Sequence, residues 1–466
     1  MTAADRPAVI VVGAGFTGLA AAYELARRGR RPILIEAAPE IGGLAAAFRV
    51  GDARIERFYH HWFTSDHAVM ALVAELGLGG QMSFTATRTG SYFANRLYRL
   101  SRPLDLLRFS PLPPLDRLRL GLTVLRARRV RGWRELDHVP AADWLRRLGG
   151  ERAYRTVWQP LLEGKFGRHA EAVSAAWFWA KLRLRGGSRG AQGEERLAYF
   201  RGGFAALADA LLAAILAGGG EIRLATRAQA LAMRDGRLAG VVTDRGVVEG
   251  PAVLLTPALP ITAEIVAPAV PDSYADRLRS FDYLANVCVV LALDRSLSEL
   301  YWMNVNDPSF PFVGVIEHTN LDQADPGGRR HIVYLSRYLP ADDPAFARSD
   351  AATIAFTLPH LARMFPQFSA DWVAAAHVWR ARHAQPIVTC GYGDRIPGAE
   401  TPVPGAFIAS MAQVYPEDRG TNYAIRDGRK AAALIDAWLG RDDRGADARE
   451  RPGERHLAIP EDGRIC

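Results

Sequence analysis

The chain has 466 residues, 49% of them hydrophobic, which suits two or three domains with sizeable cores and excludes general disorder. Its formal charge of +8 is almost wholly arginine, with lysine only at Lys165, Lys181 and Lys430; no nucleic-acid recognition motif accompanies it, so no nucleic-acid partner is expected. Cys288, Cys390 and Cys466 lie far apart without a CxxC, which excludes a disulfide framework and fits a reducing, cytoplasmic setting.

The lead MTAADRP carries no basic and apolar leader, so no export is expected. Residues 7–37 then read as strand, tight turn, helix and strand. PAVIVV is a short apolar run suited to a parallel strand buried on both faces. GAGFTG follows at once. Gly13 allows the sharp turn, Gly15 lets the backbone approach a pyrophosphate, and Gly18 lets the helix pack close to the sheet. Phe16 and Thr17 open that helix, whose unpaired N–H groups suit phosphate. The second strand, RPILIEA, carries Glu36 at its end, placed to accept from ribose hydroxyls and to repel a 2′-phosphate. A dinucleotide other than NADP is expected.

EAAPEIGGLAAAF adds a second glycine pair, Gly42 and Gly43, with Leu44 after it, one short loop beyond Glu36. This resembles the FAD-binding signature of the amine oxidase, protoporphyrinogen oxidase and phytoene desaturase superfamily. The resemblance implies FAD as cofactor, with the second glycine pair passing close to its diphosphate and ribityl chain. ERFYHHWFTSD, residues 56–66, falls where that superfamily runs along the flavin ring, and it also resembles the corresponding segment of UDP-galactopyranose mutase. On a strand, the adjacent His60 and His61 would face opposite sides and could not easily chelate one metal. With no Cys, Asp or Glu at ligand spacing, no metal site is expected. Each histidine is either a flavin-facing group that moves a proton or a packed, hydrogen-bonded side chain. Both are carried as catalytic candidates, together with Tyr415.

Between Arg96 and Arg134 stand eleven arginines and two acids, Asp105 and Asp116. RFSPLPPLDRLRLGLTVLRARRVRGW mixes Leu and Val with Arg, which suits either an anionic membrane surface or a solvated helix face. AADWLRRLGGERAYRTVWQPLLEGKFGRHAEAVSAAW resembles the superfamily's helical substrate-domain insert. Residues 199–231 resemble its return to the FAD domain: a Gly-Gly turn, a long helix, and a strand whose end contacts adenine near Arg227 and Ala228. Hairpin turns are expected at Asp235-Gly236 and Arg245-Gly246. GAFIASMAQVYPEDRGTNYAIRDGRKAAALI is similar to the closing motif. By that similarity Glu417 or Asp418 binds the ribityl or diphosphate region, and Gly420, Thr421 and Asn422 pass beside the isoalloxazine; a plain helix cap is the alternative for Asp418. Tyr92, Trp302, Tyr392 and Tyr415 are candidate pocket aromatics. No apolar run reaches the ~18 residues of a spanning helix, and the charged, glycine-containing tail from about Gly440 is expected to be loose.

The expected fold is α/β. A Rossmann-like FAD-binding domain is assembled from separated segments (1–90, 199–275 and 401–440), a mixed-sheet and helical substrate domain is inserted (91–198 and 276–400), and a flexible tail follows (441–466). The resemblance implies an FAD-dependent oxidoreductase taking a hydride from an isoprenoid, tetrapyrrole, amine or similar substrate to flavin N5. The alternatives are a flavin-dependent isomerase or mutase without net redox change, and a non-catalytic FAD-binding subunit. A lipophilic small-molecule substrate and peripheral contact with the inner face of the membrane through residues 96–134 complete the expectations.

Overall fold

A computed structural model describes residues 7–99, 103–127, 129–187, 195–322 and 330–449. Five short strands form a parallel sheet in the spatial order Glu221–Arg223, Arg31–Ile35, Ala8–Val12, Ala252–Leu255 and Ala406–Ile408. The register sets Ile10 opposite Ile33 on one side and Val253 on the other. Every residue of Ala8–Val12 and Ala252–Leu255 is buried, as central strands with both faces covered require. The strands come from well-separated stretches of chain, as expected for a domain interrupted by insertions.

Helix Phe16–Arg27 packs against helix Thr421–Arg449 where glycine removes the intervening side chain. A Cβ on Gly428 would lie 2.3 Å from the Thr17 carbonyl oxygen, and one on Gly18 would lie 1.9 Å from that of Gly13. The closing helix continues past Gly440 to Arg449, so the start of the expected loose tail is helical; residues 450–466 lie outside the described residues.

The second sheet has seven strands, ordered Val373–Pro386, Tyr283–Leu293, His331–Leu339, Gly314–Glu317, Trp302–Val305, Thr89–Phe93 and Arg96–Arg99. Its neighbours are antiparallel except Trp302–Val305 beside Thr89–Phe93. The stretch from residue 91 therefore opens as sheet, and helices dominate only from Pro114. Ala94 and Asn95, both at positive φ (50° and 56°), close the two-residue hairpin, as a type I′ turn demands.

Glu56, the last residue of strand Ala53–Glu56, ties that strand to distant parts of the chain. Its fully buried carboxylate accepts from the Phe204 N–H at 2.6 Å and the Tyr199 hydroxyl at 2.8 Å, while its carbonyl accepts from the Tyr334 hydroxyl at 2.8 Å. Burial pushes this carboxyl up to about 7, against the pull of those hydrogen bonds. Between its ordinary 4.5 and about 7 the folded chain keeps a proton the unfolded chain has released, so stability falls as pH rises across that window. Burial raises Asp66 to about 6 and Glu317 to about 7, in the same sense. Glu56→Gln is expected to reduce the stability lost between about pH 5 and pH 8 by at most about 3 kcal/mol. Denaturant unfolding at the two pH values checks this; an unchanged difference would mean that Glu56 is ionised in the fold.

Candidate functional site

The turn after Ala8–Val12 and the loop carrying Gly42 and Gly43 meet edge to edge. The Gly42 N–H donates to the Ala14 carbonyl at 2.8 Å, and Gly15 and Gly42 form a parallel bridge. A Cβ on Gly43 would stand 3.1 Å from the Gly15 Cα, so the two backbones touch and leave a bare groove. Gly13 sits at φ 100°, where a side chain is strained, and its Cβ would lie 2.4 Å from the Thr256 hydroxyl. Helix Phe16–Arg27 starts at Gly15 with no side-chain cap, which leaves its first N–H groups to a ligand. Phe16 and Thr17 contribute backbone only, since both side chains are buried, Phe16 edge-on to Phe204.

Glu36 is held at the adjoining strand end, its oxygens accepting from the Ala14 N–H at 2.7 Å and the Ala38 N–H at 2.8 Å. A carboxylate has about four acceptor positions, so two remain for ribose hydroxyls. The Thr226 N–H donates to the Glu36 carbonyl at 2.8 Å, which brings Ala228, at the start of strand Ala228–Arg234, to this adenosine end. A bare helix start, a side-chain-free groove and an oriented acid make up the donor set that the adenosine diphosphate part of FAD needs, and the residues present fit it.

A cavity of about 370 Å³ opens beside this groove. Leu44 and residues 417–423 line one part of it. Trp158, Lys165, Trp177, Phe178 and Lys181, from the helical insert, line another, and Tyr301, Trp302 and Tyr338 a third. Residues 59–61 adopt no regular structure, so the opposite-facing geometry of a strand does not hold and both histidines line this one cavity. His60 Nδ1 lies 2.6 Å from the Phe58 carbonyl, to which it must donate, leaving Nε2 as acceptor. Burial pulls His60 down to about 4, so it is neutral at pH 7. His61 Nδ1 lies 2.8 Å from the Tyr301 hydroxyl, with the ring edge-on to Trp302.

Several expected site residues do other work. Tyr415 does not line the cavity: its hydroxyl donates to Asp137 and lies 2.8 Å from Ser174 Oγ, and its ring meets Trp133 and Tyr392. Tyr92 and Tyr392 are core residues, whereas Trp302 does line the cavity. Thr421 accepts from the Trp62 indole at 2.6 Å, and Asn422 from the Ala68 and Val69 N–H groups at 3.0 and 3.2 Å. Both thereby hold the histidine segment against the closing helix. Glu417 pairs with Arg426 at 3.5 Å. Asp418, expected with Glu417 as an alternative at the ribityl or diphosphate region, is held by other side chains. Its oxygens accept from Lys165 at 3.0 Å, Lys181 at 2.6 Å, Trp177 at 3.2 Å and Gln385 at 3.4 Å, so the carboxylate turns to the substrate-domain helices. Burial would raise its pKa, but Lys165, Lys181 and Arg419 together hold it well below the usual carboxylate range.

Sequence reasoning missed Lys165, Lys181, Trp177 and Arg419 as site residues. One signal was present: with three lysines against 55 arginines, two of the three sit in the cavity. Lysine's compact ammonium, unlike the guanidinium fork, lets two cations share one carboxylate oxygen. Among the described residues, Asp137, His138 and Asp394 place ligand atoms within 4.8 Å of one another, away from the cavity lining. They are spent on each other and on Tyr415, with His138 and Asp394 paired at 3.1 Å.

Gly15→Val is expected to fold, since nothing nearer than the Gly43 Cα at 3.8 Å opposes a Cβ there, but to lose most bound FAD because the side chain would fill the groove. Chromatography of heat-released cofactor measures this; full FAD occupancy would refute the assignment of the groove.

A family model described as flavin containing amine oxidoreductase matches residues 16–436. Coproporphyrinogen III oxidase of Propionibacterium freudenreichii is 25% identical over 323 residues, which is 56% of this chain and 60% of that one. The curated relatives are matched over 37% to 60% of their own length. In fold, the chain is similar to cyclohexylamine oxidase from Brevibacterium oxydans (TM-score 0.72, 18% identity, 94% of this chain and 100% of that one). It is also similar to reduced UDP-galactopyranose mutase (TM-score 0.71, 15% identity, 94% and 98%). The chain belongs to the flavin-containing amine oxidoreductase family, and its cofactor is FAD.

Proposed function

We propose that the chain is an FAD-dependent oxidoreductase that takes a hydride from an organic small molecule held in the cavity to flavin N5. The observation that carries this is the shared lining: the FAD-side residues Leu44 and 417–423 and the aromatic wall of Trp158, Trp177, Phe178 and Trp302 enclose one space. FAD, when bound, supplies the hydride acceptor. The chain's residues position the substrate and exclude water. His60, neutral, offers Nε2 as an acceptor, and His61, oriented by the Tyr301 hydroxyl, can hold or move a proton at Nε2. The aromatic wall favours a lipophilic body. Anaerobic mixing with isoprenoid, tetrapyrrole, amine and nucleotide-sugar panels is expected to bleach the oxidised-flavin absorbance without added reductant, and His61→Phe to slow that bleaching by about 100-fold. Turnover that occurs only with pre-reduced flavin would favour the isomerase or mutase alternative.

We also propose that residues 96–134 dock on an anionic membrane surface. Helix Pro114–Ala127 buries Asp116, Leu120, Thr123 and Ala127 against the insert and presents Leu115, Leu118 and Leu125 outward at 60%, 60% and 55% exposure. Leu107, on the preceding turn, is 63% exposed. A leucine stripe is the reverse of what a solvated face carries, and Arg119 and Arg126 flank it. Eleven arginines against two acids select anionic headgroups. Among the described residues no helix is long and apolar enough to cross a membrane. Vesicles containing phosphatidylserine are expected to sediment the protein, phosphatidylcholine vesicles to do so far less, and Leu115→Ser with Leu118→Ser to reduce binding by about tenfold or more. Equal binding to both vesicles, or self-association through this face seen by light scattering, would overturn the proposal.

A further inference from the structure

One stretch of the cavity wall gathers cations. Lys165, near the end of helix Gln159–Phe166, and Lys181, in helix Ala175–Gly187, reach the same oxygen of Asp418. Both ammonium groups also lie over the Trp177 ring, at 4.7 and 4.5 Å from its centroid. Asp418 already accepts from four donors, so it has no capacity left to neutralise a further cation. Yet Arg419 is the next residue. It donates Nη2 to the Tyr338 hydroxyl at 2.8 Å, and its buried Nε has no partner among the described residues.

Two ammonium groups thus share one carboxylate, with the Arg419 guanidinium on the adjoining residue. Three further acids line the cavity and bond to other partners. Glu417 is paired with Arg426, Glu195 accepts from the Thr89 hydroxyl at 3.0 Å, and Asp66 accepts from the Phe63 N–H at 2.9 Å. His60 is neutral, and burial keeps the Tyr59 phenol protonated. Burial pulls Lys165 well below its usual value; Asp418 opposes this, and Lys181 and Arg419 add to it. Each lysine nevertheless keeps some exposure, 17% for Lys165 and 32% for Lys181, and each has N–H donors beyond the one given to Asp418. A second anion at this wall would accept those donors and relieve the mutual repulsion.

We propose that Lys165, Lys181 and Arg419 form a subsite for an oxyanion of the substrate, a carboxylate or a phosphate, so that the chain takes an anionic molecule with an apolar body and rejects amine cations. This rests on reading the cavity as the substrate site of an FAD enzyme. The apolar body would lie along Trp158, Phe178 and Leu182, which line the same cavity. An ammonium substrate would instead meet three like charges and a carboxylate already saturated with donors.

The FAD-loaded full chain is titrated with phenylacetate, phenethyl phosphate and phenethylamine, which share an apolar body and differ in headgroup. Perturbation of the flavin absorbance and the shift in melting temperature are read together. One or both anions are expected to perturb the flavin and stabilise the chain, and the tighter of the two distinguishes carboxylate from phosphate; the amine should do neither. Lys181→Met, which leaves Lys165 paired with Asp418, is expected to weaken the anion by at least about tenfold with FAD per chain unchanged. Lys165→Met serves as the second variant, and Lys430→Met, 71% exposed on the surface, as the control that changes nothing. Equal or tighter amine binding, or anion affinity unchanged in both cavity variants, overturns the proposal. Loss of FAD together with anion binding assigns the cluster to the cofactor and overturns it too. A wild-type chain that retains no FAD would instead refute the underlying reading of the cavity, while the melting shift still reports on the anions.

Discussion

The structure depends on backbone meeting backbone with nothing between. At Gly15 and Gly43 two loops touch, at Gly18 a helix meets the turn before it, and at Gly428 the closing helix meets the opening one. A side chain at Gly18 or Gly428 would collide with backbone and force the elements apart. Closeness here produces two results at once. It joins the opening strand, the opening helix and a helix more than 390 residues later into one unit, and it leaves a groove without side chains at a helix start, where the N–H groups are free for phosphate. Stability and cofactor recognition therefore come from the same glycines.

Around that rigid unit the site is built by ties that cross the chain. Thr421 and Asn422 belong to the closing helix, yet their side chains grip Trp62, Ala68 and Val69 and so set where His60 and His61 lie. Glu56 makes a further such tie, taking the N–H of Phe204 and the hydroxyl of Tyr199 into a dry interior. An acid buried this completely is favourable only when hydrogen-bonded or protonated.

Two surfaces of the insert are out of balance, each in its own way. One stretch of the cavity wall sets Lys165 and Lys181 on a single carboxylate with Arg419 beside it, and the outer face of helix Pro114–Ala127 has more exposed leucine than a solvated helix carries. Neither imbalance helps the isolated chain fold. Desolvated like charges repel, and exposed apolar area gains nothing in water.

Much of the cofactor half was legible from sequence alone. Gly13, Gly15, Gly18, Glu36 and the Gly42-Gly43 pair answer to local demands, a dihedral angle or a close approach a few residues away, and such demands are written in neighbouring residues. The interrupted assembly of the parallel sheet was legible for the same reason, since each strand carries its own apolar run. The substrate half was not. Asp418 meets Lys165 and Lys181 across 253 and 237 residues, Tyr415 meets Asp137 across 278, and strand Thr89–Phe93 joins Trp302–Val305 far along the chain. Alternation along a strand or helix says which face a side chain takes, never which distant group will stand opposite it. The sequence by itself determined the cradle and the cofactor; only the tertiary structure decided the charge of the cavity, because the energy of an ion pair depends on separation in space and on burial, and neither is encoded in the order of residues along one segment.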